Sequence, residues 1–161
     1  MRHFRQGRSG PDADPAVRQY RYVLRTAAPG VLLAVNAAAL EGVTPSDRDA
    51  ILRAVQGQLA TGGGLTAGDV PALARLLSHG ERREPRALLR HLDPLVLGRL
   101  ARAALDSDAA FGLLGGYAAW DGRDAEPASP EEVDRQFAPN GPDSGTTYDV
   151  ARGPGEGGSS P

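Results

Sequence analysis

The chain contains no cysteine and no lysine, only three histidines, and 5% aromatic residues. Without cysteine there is no disulfide framework, no thiolate nucleophile and no cysteine-ligated metal. All 18 basic residues are arginine, and Ile51 is the only isoleucine. That bias is typical of GC-rich coding, which also enriches Ala, Gly and Pro. The number of arginines is therefore a weak signal for phosphate binding, although a guanidinium suits such contacts. Long apolar runs are missing too. The longest, residues 31–40, is ten residues and is interrupted by Asn36, whereas a membrane span needs about 20. Residues 1–15 carry Arg2, Arg5 and Arg8 with no apolar stretch, unlike a secretory signal. The expected location is the cytoplasm.

Catalytic and cofactor signatures are equally scarce. His79, His91 and Asp93 match no zinc-site spacing, and Asp93 precedes a proline as a helix cap does. The Asp106-Ser107-Asp108 start of a calcium loop fails at Ala110 and Phe111, where an oxygen ligand and a glycine belong. Gly62-Gly63-Gly64 follows a helix rather than a strand, and no Gly-Lys-Ser/Thr follows it. Gly112, Gly115 and Gly116 lie among apolar residues and predict close packing. No nucleophile elbow is present. A non-enzymatic protein with no metal, cofactor or small-molecule substrate is expected.

What the sequence has is helix punctuation. Asp14-Pro15, Thr44-Pro45, Asp93-Pro94 and Ser129-Pro130 each place a capping side chain before a proline suited to the first turn. Apolar residues recur at helical spacing in 15–27, 45–59, 70–79 and 94–105, with an almost wholly apolar short helix at 31–41. Residues 85–120, the densest in leucine and aromatics, are expected to supply the core. Within them the 94–105 helix is central and 109–120 is a last helix. The helical wheel turns Arg99 and Arg102 away from its apolar face. No alternation of strand type or internal repeat occurs. The fold predicted is an all-α compact bundle of five to seven short helices. Residues 1–13 form a flexible basic arm, 14–121 the helical domain, and 122–161 a disordered acidic tail rich in Gly, Pro and Ser. Only a transient helical turn is expected at 131–137, and removal of 122–161 should leave stability unchanged.

Charge is the one functional signal. Residues 1–105 hold 15 Arg and 9 acids, for +6, and residues 106–161 hold 3 Arg and 11 acids, for −8. Arg82, Arg86 and Arg90 are spaced four apart, and Arg99 and Arg102 share a polar helix face. These five arginines are the candidate partner-binding surface of an interaction module or adaptor, with an acidic protein as the expected partner. The tail acids Asp124, Glu126, Glu131, Glu132 and Asp134 are expected to screen it. The alternative is a small DNA-binding regulator whose 70–79 and 85–92 segments form a helix-turn-helix. The second of those segments is short and lacks the Asn, Gln, Ser or Thr that usually accompany Arg in base readout.

Overall fold

Proline stands at the first or second position of every α-helix among the described residues. The computed structural model describes residues 14–138, so the 1–13 arm and positions 139–161 of the expected tail lie outside the described residues. Six α-helices and no strand occur among them: α1 (Pro15–Thr26), α2 (Pro29–Gly42), α3 (Pro45–Leu59), α4 (Val70–Arg83), α5 (Pro94–Leu105) and α6 (Pro130–Gln136). Each has a proline in its first turn, where the missing N–H costs nothing. Four of the prolines follow a working side-chain cap. Asp14 accepts from the Ala16 N–H, Thr44 from Asp47, Asp93 from Leu95 and Ser129 from Glu132. These are the caps the sequence predicts. Asp69 instead accepts from the backbone and the hydroxyl of Thr66, closing the loop ahead of α4.

The chain folds as a compact all-α bundle whose middle is α2 rather than the 85–120 segment. α2 packs on both α4 and α5, α1 touches the same two helices, and α3 and α6 lie against α4. A helix that is apolar on nearly every side needs partners on more than one side, and α2 has them. Leu32, Val35, Ala39 and Leu40 are fully buried there, facing Leu73 and Leu77 of α4 and Leu100 and Ala104 of α5 across one core.

Residues 85–92 and 109–120 do not form the helices expected of them. The first is a turn ending in a 3-10 turn at Leu89–His91. The second has 3-10 turns at Asp108–Ala110 and Tyr117–Ala119, and Phe111 is 92% exposed. Glycine explains the second case: Gly112 has a φ of +76°, outside helical space. Gly116 is where a side chain would collide with α1, since a Cβ there would lie 2.4 Å from the Tyr22 hydroxyl. The segment is held instead by aromatics. Tyr22 meets Tyr117 at 5.7 Å and Trp120 at 5.6 Å, and the Arg18 and Arg21 guanidiniums lie 5.2 and 5.5 Å from the Trp120 ring centre.

The domain does not stop at 121. In α6, Val133 is fully buried, Phe137 is 6% exposed, and both join the core. The Ala128 N–H donates to the Arg82 carbonyl at 3.0 Å. The Gly, Pro and acid composition of 122–138 masks this, because two apolar side chains at i and i+4 are a small part of it.

One buried polar relay crosses the bundle. The Tyr20 hydroxyl donates to Asn36 Oδ1, and Asn36 Nδ2 donates to Ser78 Oγ, both at 2.7 Å. Ser78 Oγ donates in turn to the Ala74 carbonyl at 2.8 Å. None of the three side chains is exposed, so α1, α2 and α4 are joined in one register. Burial pushes the Tyr20 phenol pKa far up, and it stays a neutral donor.

Candidate interaction surface

The five predicted arginines do not form one free basic face. Arg82, in the last turn of α4, is part-buried, and its guanidinium donates to the Ala27 carbonyl. Its removal from water holds its pKa below the ordinary arginine range. Arg86 sits in the following turn at φ +70°, 3.9 Å from Asp124. Arg90 pairs with Glu84 at 2.8 Å. Arg99 grips Asp47 of α3 with two bonds of 2.7 Å, and Arg102 reaches Asp14 at the start of α1 at 2.6 Å. The four-residue spacing of Arg82, Arg86 and Arg90 does not put them on one helix face, because α4 ends between the first two. With no α-helix at 85–92, the helix-turn-helix has no reading helix.

Among the described residues, two of the tail acids meet basic side chains of the body. Asp124 pairs with Arg21 at 3.0 Å and lies beside Arg86, and Asp134 meets His79 at 3.0 Å. Arg90, Arg99 and Arg102 take their acids from the body instead.

Arg99 is a structural residue. It holds the buried Asp47 carboxyl below the usual carboxylate range, chiefly through the paired hydrogen bonds. The Arg99→Ala substitution should therefore raise the Asp47 pKa, because the burial that opposes its charge remains. NMR titration of the Asp47 carboxyl in both proteins measures this; an unchanged midpoint would rule the pair out as its cause.

Sequence alone gives no signal for Glu81, which lies in a charge-rich stretch with Arg82, Arg83 and Glu84. Glu81 is 6% exposed, and its carboxylate accepts three backbone N–H bonds, from Arg86 at 2.7 Å, Leu88 at 3.0 Å and Leu89 at 3.2 Å. One side chain thus organises the whole 84–89 turn. Arg21, Arg82, Arg86 and Asp124 surround it around a void of about 20 Å³, room for one water. Burial raises the Glu81 pKa from 4.5 to about 6, against the pull of its three N–H donors. The unfolded chain then ionises before the folded one. Stability from this group is complete below about pH 4.5 and falls by about 2 kcal/mol as pH rises to about 6. Denaturation between pH 4 and 7 should show that decline, and Glu81→Gln should remove it. A wild-type curve rising over the same window would contradict the assignment.

A roomier concavity lies elsewhere, between the end of α3, the 60–69 loop and α4. It is a groove of about 600 Å³ lined by Leu59, Leu76 and Ala87 together with His79, Arg75, Arg83 and Glu84, the last of which is paired with Arg90. It continues past Thr61, Arg75 and Leu76 into an apolar cleft of about 460 Å³ along Leu65, Pro71 and Ala72. Two glycines shape it. Gly62 turns the chain at φ +77°, and Gly80 lets α4 close on Leu59, where an added Cβ would sit 3.2 Å from that leucine. Arg75 and Arg83 are exposed, and no ion pair among the described residues involves either. The signal for this edge was in the sequence: positions 72, 76, 79 and 83 are one helical stripe, and 75 lies beside it.

No three His, Asp or Glu side chains converge as a metal site among the described residues, and no helix there is long and apolar enough to cross a membrane. No family model matches the chain, and neither a curated protein nor a solved structure is similar to it.

Proposed function

We propose that the protein is a non-enzymatic interaction module that docks an acidic, partly apolar peptide segment of a protein partner in the groove between α3 and α4. The observation that supports it most is the run of apolar side chains from Leu59 and Leu76 to Leu65, Pro71 and Ala72 beside two exposed arginines, Arg75 and Arg83, that make no ion pair among the described residues. Apolar walls supply area and exposed guanidiniums select charge and orientation, the usual division of labour in a peptide groove. The basic face of the module is then Arg75 and Arg83, while Arg82, Arg86, Arg90, Arg99 and Arg102 serve mainly to join elements of the fold. A peptide library displayed on phage and selected on the full chain tests the reading. Recovered peptides should combine Asp or Glu with Leu, Phe or Tyr, and Arg75→Glu/Arg83→Glu should abolish their enrichment. Peptides without acidic bias, or the same peptides on the charge-reversed chain, would refute it.

A further inference from the structure

We propose that this groove has a tethered occupant in the chain itself: the Tyr148-Asp149-Val150 stretch, which an external acidic partner must displace. The inference rests on the groove being a docking face and concerns its regulation. Three observations carry it.

The first is where the described chain ends. Asp134 meets His79, the Phe137 ring lies 6.3 Å from the same imidazole, and His79 lines the groove. The polypeptide therefore leaves α6 at the groove's edge. The second is reach. Nine residues lie between Ala138 and Tyr148, and the ten steps, at about 3.3 Å each, extend up to about 33 Å, on the order of a small domain's diameter. The third is chemistry. Beyond Ala138 the only large apolar side chains are Tyr148 and Val150, and Asp149 stands between them. In an extended tripeptide the first and third side chains share a face and the middle one points away. Tyr148 and Val150 could thus enter the Leu65–Leu76 cleft while Asp149 meets Arg75 or Arg83 on the rim. A tether of this length gives such a segment an effective concentration in the millimolar range, so weak docking suffices to occupy the site.

The absence of native cysteine makes the test direct. A nitroxide on Ala151→Cys in the full chain is the only thiol-attached label, and paramagnetic broadening of backbone amides reports where it dwells. At low salt, amides of Leu65, Leu76 and Ala87 should broaden strongly while those of Leu97 and Leu100 in α5 do not. Arg75→Glu/Arg83→Glu should erase the difference. Broadening equal over groove and α5, or unchanged by the charge reversal, overturns the proposal. So does broadening that persists when a labelled chain is mixed with an isotope-enriched unlabelled one, since the occupant would then be a second copy. A fluorescein-labelled peptide of alternating Asp and Leu separates this inference from the one beneath it. Its affinity for the full chain should tighten roughly threefold or more on Tyr148→Ser/Asp149→Asn, because the competent fraction rises. Peptide binding that depends on Arg75 and Arg83 but ignores Tyr148 and Asp149 would sink the tether and leave the docking face standing. Absence of peptide binding, with groove broadening intact, would do the reverse.

Discussion

A chain cut after Asp121 should melt about 10 °C below the full-length protein, although composition alone marks everything beyond that point as dispensable. The cut removes Val133 and Phe137 from the core, and burying such a side chain contributes about 1.5–3 kcal/mol. It also takes Asp124 from Arg21, whose side chain is only 7% exposed. The shortened chain is spared the entropic cost of ordering residues 122–138, which offsets part of the loss and leaves a net cost of about 2–4 kcal/mol. For a domain of this size that is on the order of 10 °C. Val133→Asp in the full-length chain separates packing from length, because it forces a charge into a fully buried site and should destabilise comparably. Calorimetry of both variants decides the matter. A truncated protein melting within a degree or two of the parent would mean that α6 adds nothing to the fold.

Asn36→Ala should cost about 3 kcal/mol. The substitution leaves the Tyr20 hydroxyl without its acceptor in a site closed to water, a penalty of about 1–3 kcal/mol, and opens a small cavity at the centre of α2. Ser78 loses a donor but keeps its own bond to the Ala74 carbonyl. Tyr20→Phe removes the orphaned hydroxyl, so adding it to Asn36→Ala should cost less than adding it to the parent. A double-mutant cycle should return a coupling of about 1 kcal/mol or more between the two. Denaturation showing Asn36→Ala below about 1 kcal/mol, with additive effects, would show that the relay does not bind the helices together.

The helices were legible because local chemistry set their starts. Asp14, Thr44, Asp93 and Ser129 act as caps in the sequence and in the structure, each ahead of a proline. What was not legible depends on long-range partners. Asn36 reads as an interruption of an apolar run until Tyr20 and Ser78 meet it from other helices. Glu81 reads as a surface charge until the chain turns back and aims three N–H groups at it. The partners of the arginines were hidden for the same reason. Helical spacing states which face Arg99 points to, but only the packing of α3 on the bundle shows Asp47 waiting there. Charge counting could not separate arginines paired with internal acids from Arg75 and Arg83, which have no such pair among the described residues. In 109–120 the leucines and aromatics outweighed the glycines in the pattern, yet the positive φ of Gly112 decided the backbone.

The docking face is tested most directly by two charge reversals measured with the same peptide. Fluorescence anisotropy of the labelled Asp/Leu peptide would be followed on the parent chain, on Arg75→Glu/Arg83→Glu and on Arg53→Glu/Arg102→Glu. Each pair reverses the same total charge on exposed arginines, so any nonspecific attraction changes equally. Loss of two rim contacts of about 1 kcal/mol each predicts a tenfold or greater weakening for the first pair. The second pair lines neither the groove nor the apolar cleft and should change affinity less than about twofold by the same measure. Equal losses for both pairs, or a larger one for Arg53 and Arg102, would contradict a docking face at the α3–α4 groove.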